Sequence, residues 1–156
     1  MANPAPTIRR LGPADVQLMR SLNRLFADAF AEPETYAADP PAEPYLSSVL
    51  AREHVVALVA TIADEVVGGL VAYELDKLER QRREIYVYDL AVAARHRRQG
   101  IATALLREVQ TIARDRSAWV VFVQADYVDD AAVALYDKLG TREEVLHFDL
   151  PVGEPR

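Results

Sequence analysis

The stretch from Asp89 to Thr103 reads DLAVAARHRRQGIAT, and it decides the fold of this chain. It starts inside a run of β-branched and aromatic residues, 84–92, that predicts a central strand. From Ile101 to Arg114, apolar residues recur every three or four positions, which predicts a helix with one buried face. A strand, a short basic turn and a helix are therefore expected in direct succession.

The turn between this strand and this helix predicts an anion site. Backbone N–H groups at a helix start have no partner inside the helix, and the helix dipole favours negative charge there. Gly100 lets the backbone approach a ligand closely, and the arginines before it add positive charge. We expect a phosphate or pyrophosphate at this turn. The alternative is an ordinary strand–helix turn with solvated arginines.

The rest of the chain predicts a single α/β domain over residues 1–156, with its core at about 7–150. We expect a strand at 7–11, a helix at 15–30, a stiff proline-rich loop at 31–44 and a short helix at 45–52. A hairpin at 55–63 and 66–75 follows. After the central strand and its helix come a doubly buried strand at 119–124 with Trp119 in the core, a helix at 131–139 and a last strand at 144–150.

Composition excludes several classes of protein. With 51% hydrophobic and 27% charged residues the chain is not disordered, and without cysteine it has no disulfide or thiol nucleophile. Its three histidines share no metal-ligand spacing, so no metal is expected. No apolar run reaches the roughly 18 residues of a membrane span. No secretory signal is visible either, so we expect a cytoplasmic protein that does not bind membranes.

Charge is unevenly distributed along the chain. The net charge is −6, yet residues 80–116 hold 9 basic and 4 acidic side chains, a local +5. The acidic balance of the whole chain argues against a nucleic-acid partner. A basic middle between acidic flanks suggests an anion site beside a surface that attracts cations. The alternative is that these charges lie on solvated helix faces.

Two motifs resemble the Gcn5-related N-acetyltransferases. The sequence RRQGIA at 97–102 resembles their coenzyme A pyrophosphate loop, and AVALYDKLG at 132–140 resembles the helix whose tyrosine faces the cofactor sulfur. Longer blocks are similar to the aminoglycoside 3-N-acetyltransferases of the gentamicin-resistance type. These blocks are EIYVYDLAV at 84–92, HRRQGIATAL at 96–105, QADYVDD at 124–130 and REEVLHFD at 142–149.

The resemblance implies a mixed central sheet, flanked by helices and splayed around acetyl-coenzyme A. The central strand would pair with the pantetheine arm through its backbone, and the loop would hold the pyrophosphate. The implied cofactor-binding residues are Leu90, Ala91, Val92, Arg97, Arg98, Gln99, Gly100, Ile101, Ala102 and Thr103.

The resemblance also implies direct transfer in a ternary complex, without a covalent intermediate. Asp89 is the candidate base, acting directly, through water or only by orienting the amine, and Tyr136 is the candidate acid. The alternatives are a structural carboxylate and a core tyrosine. Strict alternation puts Tyr86 and Asp89 on opposite faces unless a bulge resets the register. The candidate acceptor-binding residues are Glu84, Tyr88, Asp126, Tyr127, Glu143, His147 and Asp149.

The implied function is acetylation of the 3-amino group of gentamicin-like aminoglycosides, which gives antibiotic resistance. Two alternatives stay open. One is an acetyltransferase for another cationic amine, such as a polyamine or a protein lysine, and the other is a non-catalytic acyl-coenzyme A sensor. Many members of the family are homodimers, but the sequence does not determine the oligomeric state.

Overall fold

The computed structural model describes residues 4–154 of the chain. They form two compact units, one that ends at Gln124 and one that begins at Ala125. The first unit contains all the strands of the described residues.

A five-stranded mixed sheet forms the first unit. Its strands are β1 (Thr7–Arg10), β2 (Val55–Ile62), β3 (Glu65–Asp76), β4 (Arg83–Val92) and β5 (Ala118–Val123). They lie side by side in chain order. Neighbours pair antiparallel from β1 to β4, whereas β4 and β5 pair parallel. The hairpin and the central β-α-β unit expected from the sequence are therefore confirmed.

Helices cover both faces of this sheet. They are α1 (Val16–Phe30), α2 (Pro33–Tyr36), α3 (Glu43–Leu50) and α4 (Ile101–Asp115). A Cβ atom on Gly69 would collide with Leu22 of α1, whereas one on the adjacent Gly68 would approach Ile101 of α4. Because neighbouring residues of a strand point to opposite faces, α1 and α4 pack on opposite sides of the sheet. The mixed sheet flanked by helices, as expected from the sequence, is confirmed.

A bulge interrupts β4 at Tyr88. Val87 pairs with Ala72 and Asp89 pairs with Val71, so Tyr88 is one extra residue in the ladder. Without this extra residue, the alternation of side chains along the strand would place Asp89 on the face of the sheet opposite Tyr86. The bulge instead turns Asp89 to the face where Val71 packs in the core beneath α1.

The second unit contains α5 (Asp130–Leu139) and an irregular segment after it. The Asp129 carboxylate caps the helix by accepting a hydrogen bond from the Ala132 N–H at 3.1 Å. The strand predicted at 144–150 is wrong, because no strand follows α5 in the described residues. Apolar residues are present there, but within this unit the backbone of residues 144–150 forms no hydrogen bonds of a strand ladder.

Two further expectations concern β5 and are also wrong. Trp119 is 56% exposed instead of lying in the core, and the other residues of β5 are half-buried. Among the strands of residues 4–154, β5 is the last in the sheet, so it lacks the second strand neighbour that a central strand has. The Arg82 guanidinium lies 4.1 Å from the centre of the Trp119 ring and covers part of it.

Candidate active site

The loop before α4 places an open helix N-terminus beside the end of β4. Arg98 and Gly100 both adopt left-handed backbone conformations, with φ of 61° and 82°. Gly100 occupies the cap position of α4, where no side chain caps the helix. A Cβ atom on Gly100 would meet nothing within 4 Å, so the space in front of the helix is open. This arrangement suits an anion such as a pyrophosphate.

The basic side chains of the loop before α4 have different surroundings. The Arg97 Nε donates a hydrogen bond to the Val92 carbonyl at 3.1 Å, which ties the loop to the end of β4. Arg95 pairs with Glu65. The Arg98 side chain is exposed, next to the open helix N-terminus. The loop thus uses one arginine to hold its own shape and keeps positive charge at its surface.

Half of one edge of β4 is free within the first unit. β5 pairs with β4 from Arg83 to Val87 only, whereas β3 pairs with β4 along its whole length. The strand segment from Tyr88 to Val92 therefore has one edge without a strand partner, and it contains the predicted pantetheine-binding residues Leu90 and Ala91. An extended ligand can add to such an edge as a further strand does.

Asp89 lies at this free half of β4, and its carboxylate is hydrogen-bonded to a residue of another element. The Tyr36 hydroxyl of α2 donates a hydrogen bond of 2.6 Å to Asp89 Oδ1. Burial raises the pKa of Asp89, the Tyr36 hydrogen bond opposes that rise, and the nearby Glu32 carboxylate adds to it. The sequence did not point to Tyr36, because 53 positions separate it from Asp89 and no motif contains it.

Further tyrosines lie near this carboxylate. Tyr88 meets Tyr73 edge-on with 6.0 Å between ring centres and Tyr86 with 5.5 Å. Tyr86 also stacks on Phe122 at 4.7 Å. Burial raises the pKa of both Tyr73 and Tyr86, so their hydroxyls stay protonated at neutral pH. The predicted acceptor-binding residue Tyr88 is 61% exposed and thus accessible beside Asp89.

Glu84 lies at the other end of β4 and already has partners. Its carboxylate lies 3.9 Å from the Lys77 ammonium and accepts a hydrogen bond of 3.2 Å from the Trp119 indole N–H. The structure therefore does not bring Glu84 together with Asp89, and its predicted role in binding an acceptor stays a prediction.

The second unit contains the other predicted site residues. Tyr136 is half-buried, and burial, followed by the Asp129 charge, raises its pKa to about 12. Its hydroxyl is thus protonated at neutral pH and able to donate. His147 Nε2 lies 2.8 Å from Asp149 Oδ1, so these two side chains are paired. The exposed predicted residues of this unit are Asp126, Tyr127, Glu143, His147 and Asp149.

Neither a metal site nor a membrane-spanning helix is found among the residues that the structure describes. Among residues 4–154, no three or more histidine, aspartate or glutamate side chains are grouped so that they could hold a metal ion. In the same part of the chain, every helix is too short or too polar to cross a bilayer.

Solved structures similar to this chain include two aminoglycoside acetyltransferases from uncultured soil metagenomic samples. HMB0005 is 48% identical over 96% of this chain and 100% of its own, with a TM-score of 0.94. The second, meta-AAC0020, was solved in complex with sisomicin. It is 31% identical over 95% of this chain and 97% of its own, with a TM-score of 0.87.

Curated relatives match a shorter part of the chain. Human N-acetyltransferase 8 is 34% identical over 85 residues, and rat N-acetyltransferase 8B is 33% identical over 90. The matched parts cover 54% and 58% of this chain but only 37% and 40% of those proteins. The chain thus spans about two fifths of the length of these relatives.

One family model matches most of the chain. It describes the acetyltransferase (GNAT) family and matches residues 19–141, which include most of α1, the strands from β2 to β5, the loop before α4, and α5. The chain therefore belongs to the acetyltransferase (GNAT) family.

Proposed function

We propose that the chain transfers acetyl from acetyl-coenzyme A to the 3-amino group of gentamicin-like aminoglycosides, and that this reaction gives resistance to them. The observation that carries the proposal is the Asp89 carboxylate, which is half-buried at the free half of β4, bonded to Tyr36 and near further tyrosines. A half-buried carboxylate near tyrosines suits a hydroxyl-rich cation. At this strand edge the amine of that cation would lie next to the bound cofactor. Similarity to two aminoglycoside acetyltransferases over almost the whole chain supports it.

Acetyl-coenzyme A, when bound, supplies an acetyl group activated as a thioester. The residues present fit it, because the loop before α4 offers an open helix N-terminus and the Tyr88–Val92 segment offers a free strand edge. We assign the backbone of Leu90, Ala91 and Val92 to the pantetheine arm. The residues from Arg97 to Thr103 are assigned to the pyrophosphate. No metal takes part in this proposal.

Asp89 is proposed to bind the acceptor amine and to help remove its proton. An ammonium has no lone pair, so the amine must lose a proton before it can attack a carbonyl carbon. An aspartate with an ordinary pKa near 3.9 is a weak base at neutral pH. Burial raises the pKa of Asp89, which makes it a better base than an exposed aspartate.

Tyr136 is proposed to give a proton to the leaving thiolate. Its raised pKa keeps the hydroxyl protonated at neutral pH, which is the state that an acid needs. The exposed carboxylates of the second unit would attract the cationic acceptor. Among them are the predicted acceptor-binding residues Asp126, Glu143 and Asp149.

The experiment is an assay of thiol release from acetyl-coenzyme A. Gentamicin, sisomicin, kanamycin and spermidine serve as acceptors, and NMR of the product locates the acetyl group. We expect turnover on gentamicin with the acetyl group on the 3-amino nitrogen. Acetyl on another nitrogen would overturn the 3-amino assignment.

A preference for spermidine by kcat/KM would keep acetyl transfer but overturn the aminoglycoside assignment. Tight coenzyme A binding without transfer to any of the four amines would favour a non-catalytic sensor. Expression in a susceptible bacterium tests resistance, and an unchanged inhibitory concentration of gentamicin would contradict it.

We further propose that the chain acts as a homodimeric, cytoplasmic single domain. The second unit exposes apolar side chains close together in the sequence, and clustered exposed apolar surface is typical of interfaces. They are Val145, Leu146, Phe148, Leu150 and Val152, each at least 63% exposed. The family match, which runs across the boundary between the units, supports one domain. Light scattering should give twice the chain mass of 17.4 kDa, and one chain mass would contradict the dimer.

A further inference from the structure

Tyr36 lies in the proline-rich segment to which the sequence assigns no role. Pro33 begins α2, and Tyr36 ends it. The Tyr36 ring contacts the rings of Phe26 and Phe30, with ring centres 5.7 Å and 5.5 Å away. Phe26 is fully buried, and Phe30 stacks on it. The Tyr36 ring is therefore held in place by the core under α1, whether or not its hydroxyl is bonded.

The hydroxyl of this fixed ring points to one oxygen of Asp89. The bond to Oδ1 is 2.6 Å long, which is short for a hydroxyl and a carboxylate and typical of a charge-assisted bond. No other side-chain hydrogen bond from residues 4–154 reaches the Asp89 carboxylate. Oδ1 is thus held by the protein, and Oδ2 stays available to a ligand.

The groups that face Asp89 come from three elements. One of them is acidic, namely Glu32, which directly precedes α2 and whose carboxylate raises the pKa of Asp89. The others are tyrosines. They are Tyr36 of α2, Tyr73 of β3, and Tyr86 and Tyr88 of β4. Glu32 also lies one helical turn before Tyr36, since the Tyr36 N–H donates a hydrogen bond of 3.2 Å to the Glu32 carbonyl oxygen. A second acidic side chain therefore belongs to the same helical turn that bonds Asp89, which favours a cation there.

We propose that Tyr36 is a positioning residue that holds Oδ1 of Asp89 so that Oδ2 meets the acceptor amine, and that Glu32 supplies a second negative charge for that amine. This inference rests on the proposed function, because it takes Asp89 as the carboxylate that receives the amine. A merely structural role, in which the bond only anchors α2, is the alternative.

The test uses two substitutions with opposite expected effects on Asp89. Tyr36→Phe keeps the ring and removes the bond that favours the carboxylate, so the pKa of Asp89 should rise. Glu32→Gln keeps the side-chain size and removes a negative charge, so the pKa of Asp89 should fall. Glu32 makes no side-chain capping bond to α2, which makes this second change safe for folding.

Two readouts are measured on the full chain. NMR titration of the Asp89 carboxyl carbon reports its pKa without any acetyl transfer. Steady-state kinetics with gentamicin report the acidic limb of kcat/KM, which should move to higher pH in Tyr36→Phe and to lower pH in Glu32→Gln. We expect Tyr36→Phe to lower kcat by about tenfold or more, with an unchanged KM for acetyl-coenzyme A.

Tyr45→Phe is the matched control, because Tyr45 is an exposed tyrosine of α3 without a bond to Asp89. It should leave both readouts at wild-type values. Gentamicin turnover with an unchanged kcat and pH profile in Tyr36→Phe would overturn the positioning role but not the proposed function. If the pKa of Asp89 shifts as expected but no aminoglycoside is turned over, the proposed function is overturned. The hydrogen bond between Tyr36 and Asp89 would still be supported.

Discussion

At the scale of single residues, the chemistry centres on Asp89. Opposing influences set its pKa, since burial and the Glu32 carboxylate disfavour the charged carboxylate, whereas the Tyr36 hydroxyl favours it. The net result is a raised pKa. Activity that needs the carboxylate is therefore expected at pH values above this pKa and is lost as the pH falls through it. Because the pKa is raised, this loss occurs at a higher pH than it would for an exposed aspartate.

We predict that Asp89→Asn lowers kcat by about 10²–10⁴-fold, the usual loss when a general base is removed. The amide has nearly the same size as the carboxylate but cannot take a proton. Coenzyme A affinity should persist, because the loop before α4 is untouched. Steady-state kinetics and calorimetric titration with coenzyme A check both parts. Turnover at the wild-type rate would remove Asp89 from the mechanism.

At the scale of elements, the free half of β4 and the start of α4 form one continuous feature. The strand leads through a short 3₁₀ turn into the left-handed Gly100, and the helix begins at the next residue. Arg97 ties this turn back to the Val92 carbonyl. A free strand edge and an open helix N-terminus are therefore linked by only a few residues.

We predict that Gly100→Val weakens coenzyme A binding by at least about tenfold. A branched residue is strained at a φ of 82°, and its side chain would fill the open space before the helix. Calorimetric titration measures the affinity. Gly153→Val is the matched control, because Gly153 has a φ of 86° and equally open surroundings. Equal affinities of the two variants would contradict the pyrophosphate assignment.

At the scale of the whole molecule, one buried charge joins distant parts of the first unit. Glu74 of β3 is 7% exposed, and Arg116, directly after α4, donates two hydrogen bonds of 2.9 Å to its carboxylate. Arg83 of β4 adds a contact of 3.2 Å. A buried carboxylate is tolerated only with such partners, so this cluster links β3, β4 and the end of α4.

We predict that Arg116→Ala lowers the free energy of unfolding by about 1–3 kcal/mol, since it leaves the buried Glu74 carboxylate with fewer partners. Arg95→Ala breaks an ion pair whose two side chains are both more than half exposed, so its effect should stay within about 0.5 kcal/mol. Urea unfolding curves compare the two variants. A similar loss in both would show that the Glu74 cluster adds no special stability.

Most of the fold could be predicted because its elements carry local signals. The apolar spacing of α1 and α4 and the valine-rich runs of β2 and β3 are visible within a few residues. The expectations for Trp119 and for residues 144–150 were wrong. In both cases the residues suit a strand or a core, but their burial depends on neighbours that a local pattern does not specify.

The sequence by itself determined the strand, loop and helix around Gly100, because backbone freedom and the N–H groups of a helix start are local properties. Only the tertiary structure decided how Asp89 is placed. The bulge at Tyr88 is defined by how β4 pairs with β3. The hydrogen bond from Tyr36 to Asp89 joins residues 53 positions apart in the chain. Pairing register and long-range contacts arise when separate elements pack together, so no single stretch of sequence contains them.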